Sequence, residues 1–69
     1  LNMDIKQWGE NYLLEANRIY DRFVRLKQER VSGNYTNFYD LDRRMQILYD
    51  IYLEMKHTGQ YLLHYPGRK

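Results

Sequence analysis

Phe38-Tyr39-Asp40-Leu41-Asp42-Arg43-Arg44-Met45-Gln46-Ile47-Leu48-Tyr49-Asp50-Ile51-Tyr52-Leu53-Glu54-Met55 is the stretch that decides the architecture. Within it Phe38, Leu41, Met45, Leu48, Tyr52 and Met55 recur at alternating steps of three and four. That spacing sets side chains along one flank of an α-helix, ready to dock against another helix. Ile47, Tyr49 and Ile51 widen the flank, and Arg43, Asp50 and Glu54 lie opposite it. Thr36 or Asn37 supplies the N-cap, and Asp40 stands in the first turn, where a carboxylate favours the positive end of the helix dipole. The pattern predicts a helix over about 38–57, with Thr58-Gly59 ending or kinking it.

Upstream, the segment 32–37 (Ser-Gly-Asn-Tyr-Thr-Asn) places a glycine after the last periodic residue, among side chains that hydrogen-bond their own backbone, and reads as a turn. Before it, Ile5, Trp8, Tyr12, Ala16, Ile19, Phe23 and Leu26 step by three or four. They predict a first helix over about 4–31 with a buried arc roughly 80° wide, broadened by Leu13, Tyr20, Val24 and Val31. Asp4 with Gln7, or Asn2, caps it. Gly9 costs about 1 kcal/mol in a helix interior relative to Ala and marks a bend or a late start. A short turn lays two such helices side by side and antiparallel. The tail, 58–69, is rich in apolar residues and is expected to add a further helical turn or two, folded back over the hairpin before Pro66 and Gly67 stop it.

The fold class is therefore all-α: one domain over 1–69, an antiparallel helical hairpin with a short C-terminal helical turn. A 69-residue chain with no Cys and two His has neither a disulfide nor the usual structural zinc site to staple it. Chains this short bury only about 60% of their unfolded surface. The predicted helices also carry wider apolar arcs than one mutual contact hides, so a homodimer, two hairpins forming a four-helix bundle, is expected ahead of a three-helix monomer. Its seam comprises Ile5, Trp8, Tyr12, Ile19, Phe23 and Leu26 with Phe38, Leu41, Met45, Leu48, Tyr52 and Met55.

Composition, with 43% hydrophobic and 16% aromatic residues, excludes a disordered tail. The apolar runs are too short for a membrane span and no secretory leader is visible, which makes a cytoplasmic protein the expectation. The chain opens on Leu1 rather than Met, as a segment of a longer protein does. Its wealth of Tyr and Asn is what AT-rich coding produces, as in a low-GC bacterium or its phages.

Chemistry is sparse. There is no glycine-rich phosphate loop and no Ser or Cys nucleophile motif. His57 and His64 stand seven apart, with Gly59 expected to break the helix between them and no acidic residue to complete a ligand set. The expectation is a non-enzyme without metal or cofactor. Tyr12, Tyr20, Tyr49 and Tyr52 read as core rings whose hydroxyls reach the rim, whereas Tyr35, Tyr39, Tyr61 and Tyr65 fall outside the seam. These four are the candidate surface for a protein partner, an aromatic patch at one end of the hairpin completed by the tail. The leading function is a small regulatory module that dimerises and binds a larger protein through them. The alternative is a nucleic-acid-binding dimer using Arg18, Arg22 and Arg25 on one stripe of the first helix, with Arg68 and Lys69. Against it, Glu15, Asp21 and Glu29 lie three or four positions from those arginines, as in a solvated face laced with ion pairs, and the net charge is only +2.

Overall fold

The computed structural model describes residues 4–33 and 37–65. Two helices, α1 (Ile5–Ser32) and α2 (Phe38–Leu63), pack against each other along their length as an antiparallel hairpin, with no strand among the described residues. At 1.5 Å per residue they run about 42 and 39 Å.

Local chemistry explains the ends. Asp4 is extended, its carbonyl accepts from the Trp8 amide at 3.0 Å, and its carboxylate accepts from the Lys6 amide at 3.4 Å. At the far end Gly33 adopts φ 76°, a left-handed conformation that ends α1 and that a side chain with a Cβ adopts only under strain. Asn37 caps α2: its Oδ1 accepts from the Asp40 amide at 3.0 Å and its carbonyl from the Leu41 amide at 3.2 Å. Asn2, Thr36 and the Pro66-Gly67 stop lie outside the described residues, as do 34–36 of the turn.

One register runs the length of the pair. Arg30 Nε donates to Asp42 Oδ1 at 2.7 Å, and its guanidinium lies 4.4 Å from the centre of the Phe38 ring, tying the last turn of α1 to the first of α2. Descending α1 by seven, three, seven and four residues while climbing α2 by the same steps gives the next pairs. They are Phe23 with Tyr49 (ring centres 5.4 Å apart), Tyr20 with Tyr52 (4.9 Å), Leu13 against Gly59, and Gly9 against Leu63.

Two expectations are corrected here. Gly59 does not end α2, and Gly9 does not delay the start of α1; both are buried inside continuous helices. A Cβ on Gly9 would stand 2.9 Å from the Gly59 carbonyl oxygen, and one on Gly59 would stand 2.9 Å from that of Gly9. The two glycines thus let the backbones touch at the open end of the hairpin, and this packing offsets their poor helix propensity. Since α2 continues to Leu63, with the His64 amide donating to the Gln60 carbonyl at 3.1 Å, the residues after Gly59 extend the rod instead of folding back over it.

The core is accordingly thin. Among the described residues, Ala16 and Leu41 are the apolar side chains the hairpin buries, alongside the two glycines. Of the seam residues, Leu41 is buried; Ile5, Ile19, Phe23, Leu26, Met45, Leu48, Tyr52 and Met55 are half-buried; Trp8, Tyr12 and Phe38 are exposed. The whole measures 52 × 18 × 15 Å. It presents 5549 Å² of surface, against about 4,700 Å² for a compact monomer of its mass.

Candidate interaction surfaces

Two faces of the hairpin carry what the core does not hide. On one flank four rings close a square across the helices. Tyr20 and Phe23 of α1 lie 5.7 Å apart, Tyr49 and Tyr52 of α2 also 5.7 Å apart, and the cross-helix pairs complete it. All four interplanar angles fall between 34° and 46°, tilted arrangements that suit ring quadrupoles better than a face-to-face sandwich. Lys56 sets its ammonium 5.7 Å from the Tyr52 ring centre. Tyr20 and Tyr49 remain about two-fifths exposed, so these rings sit at the rim of the seam, not in a closed core.

The other flank carries a groove. Tyr20 and Arg22 are about 200° apart around α1, and Tyr49 and Arg44 about 140° apart around α2, so the square and the groove open on opposite sides of the seam. Leu26 and Leu48 line the groove with Ile47, which is 47% exposed. Arg22, Arg25 and Glu29 from α1 and Arg44 from α2 also line it, and the open volume is about 540 Å³. Arg44 leans on Asp40 at 3.4 Å. Arg22 and Arg25 make no ion pair or side-chain hydrogen bond among the described residues. The expected lacing of the arginine stripe is thus met at Arg18, which binds Glu15 at 2.7 Å, and not at its two neighbours.

The tyrosines expected to form one patch do not converge. Tyr39 is 80% exposed beside the turn, while Tyr61 and Tyr65 stack edge to face, 5.6 Å apart, at the opposite end. Twenty-two residues of continuous helix separate Tyr39 from Tyr61, about 33 Å. The patch expectation assumed that the tail returns toward the turn, and α2 carries it away. Tyr35, Arg68 and Lys69 lie outside the described residues.

His57 and His64 are exposed, and among the described residues no buried side-chain polar atom lacks a hydrogen-bond partner and no group of three His, Asp or Glu is placed to hold a metal. No described helix is long and apolar enough to cross a membrane. What the hairpin exposes is an aromatic flank and a basic-rimmed apolar groove on a two-helix rod. No family model matches the chain, and no characterised protein or solved structure is significantly similar to it.

Sequence reasoning missed Arg44 and Ile47 as groove residues. Arg44 stands three and four residues from Leu41 and Leu48 on the edge of the seam, a position legible once the partner helix is in place.

Proposed function

We propose that this chain is a small, non-enzymatic cytoplasmic interaction module that pairs with a second copy of itself into a four-helix bundle and engages a larger protein. The observation that carries this reading is that closing the hairpin leaves large apolar side chains open on both flanks, among them Trp8 (51% exposed), Ile47 and Tyr20. Isolated exposed hydrophobics are ordinary; aligned along two sides of a rod they are the surface of an unfinished bundle. A flank about 39 Å long and 18 Å wide offers roughly 700 Å², close to the ~800 Å² per partner of a standard interface.

The aromatic flank is the better seat for the second copy. A twofold axis sets the residues it passes through near their own mates. About the square of Tyr20, Phe23, Tyr49 and Tyr52 that pairs rings with rings; about the groove it would press Arg22, Arg25 and Arg44 toward their counterparts.

Sedimentation equilibrium from 1 µM to 500 µM tests the pairing. The expected result is a concentration-dependent species of twice 8.6 kDa, returned to 8.6 kDa by the double substitution Tyr20→Glu/Tyr49→Glu with helicity retained by circular dichroism. A folded wild-type monomer throughout the range refutes the proposal.

A further inference from the structure

Resting on the reading of the chain as a protein-interaction module, the geometry points to a specific occupant for the second flank: the groove between Leu26 and Leu48 binds an acidic amphipathic helix of a partner protein. Three features of the site select that chemistry.

The first is shape. The groove runs between antiparallel helices held in one register from Arg30–Asp42 to Gly9–Leu63. Such a trough accepts the side-chain ridge of a third helix, whose apolar residues at i, i+3, i+4 and i+7 seat between the first two.

The second is the apolar lining. Leu26, Leu48 and the half-open Ile47 gain from covering by hydrocarbon and gain nothing from phosphates. This favours a helix over a nucleic-acid backbone.

The third is charge. Three guanidinium groups and one carboxylate, Glu29, line the groove, a local excess of +2, which equals the net charge of the entire chain. Arg22 and Arg25 on one wall make no ion pair among the described residues, and Arg44 on the other has only the loose contact to Asp40. Asp or Glu residues flanking an apolar ridge would meet guanidinium groups on both walls, where paired N–H donors match a carboxylate. The same arginines disfavour a second copy seated about a twofold axis here, which leaves the groove open in a dimer formed through the aromatic flank.

The test uses the 69-residue chain and fluorescein-labelled designed helical peptides of about 18 residues, about 27 Å long. One carries a leucine ridge flanked by Glu, a second the same ridge flanked by Lys, a third the Glu flanks with the ridge changed to Gln; a fourth probe is single-stranded DNA. Fluorescence anisotropy is read at low and moderate salt. The expected order is tightest binding by the Glu-flanked ridge, with at least tenfold weaker binding of the other three. Arg22→Glu/Arg44→Glu should weaken the Glu-flanked peptide at least tenfold and reverse the preference toward the Lys-flanked one; Ile47→Asn should weaken it severalfold. Circular dichroism confirms that each variant remains helical, and Arg18→Glu/Arg43→Glu, both outside the groove, serves as a charge-matched control expected to change binding less than threefold.

Equal affinity for Glu- and Lys-flanked peptides, tighter binding of DNA than of any peptide, or indifference to both groove variants overturns the proposal. Sedimentation of the same samples separates the two readings. Peptide selectivity in a protein that stays monomeric refutes the dimer and leaves the groove standing. A dimer without peptide selectivity refutes the groove alone.

Discussion

Replacing Gly59 with Ala puts the closest contact in the hairpin to a test of sign. In an open helix position Gly→Ala stabilises by about 1 kcal/mol, because glycine has the most backbone freedom to lose. Here the added Cβ would stand 2.8 Å from Leu13 Cδ2, 2.9 Å from Leu13 Cγ and 2.9 Å from the Gly9 carbonyl oxygen, where ordinary contact begins at 3.4 Å. A leucine side chain can turn aside; a carbonyl inside a helix cannot, so the helices must separate by about half an ångström or more. Overpacking of this kind costs about 1–3 kcal/mol. A gap of 0.5–1 Å also forfeits a quarter to a half of each dispersion contact it opens. After subtracting the propensity gain, the expected net loss is up to about 2 kcal/mol, a fall in Tm of up to about 15 °C for a domain of this size. Thermal unfolding followed by circular dichroism at 222 nm, at one fixed protein concentration, reads it. Gly9→Ala should behave alike, and the double variant should lose less than the two singles together, because helices already parted for one methyl accommodate the other. A rise in Tm for Gly59→Ala refutes the backbone contact outright.

Leu41→Ala removes a fully buried side chain and should cost about 2–4 kcal/mol, most of what so small a domain has. Urea titration showing a loss under 1 kcal/mol contradicts the thin core described above. Asn37→Ala deletes the acceptor for the Asp40 amide and should lower stability by about 1 kcal/mol, while Asn37→Asp keeps the cap and should stay within a few tenths; equal losses in the two rule out the capping role. Arg30→Met retains the stem and removes the charge from a pair whose members are 41% and 53% exposed. The expected loss is below 1 kcal/mol, and a loss above 2 kcal/mol in the same titration shows that the bridge is more than a surface tie.

Much of the hairpin is legible in residue order. The seven-residue rhythm of Ile5, Tyr12, Ile19 and Leu26, Gly33 after the last turn of α1, and Asn37 ahead of Phe38 each act within a few residues along the chain. The end of α2 was misread because glycine was weighed as a helix breaker. A signal was available: the steps from Tyr52 to Met55, Gly59 and Leu62 continue the same three-and-four spacing, which marks Gly59 as a seam residue that happens to be small. The expected convergence of Tyr39 with Tyr61 rests on the same reading of Gly59, since the course of α2 beyond Gly59 decides where the last aromatics lie.

The sequence by itself determined that this chain forms two amphipathic helices, where they begin, and that their apolar arcs exceed one contact, because helix formation and face periodicity depend on neighbours within a turn or two. Only the tertiary structure decided the register, the touching of Gly9 and Gly59, the closing of the aromatic square, and the meeting of Arg22 and Arg25 with Arg44 across Leu26 and Leu48. Those are properties of pairs of atoms distant in sequence. They depend on how closely two backbones approach, a distance that no single helix specifies.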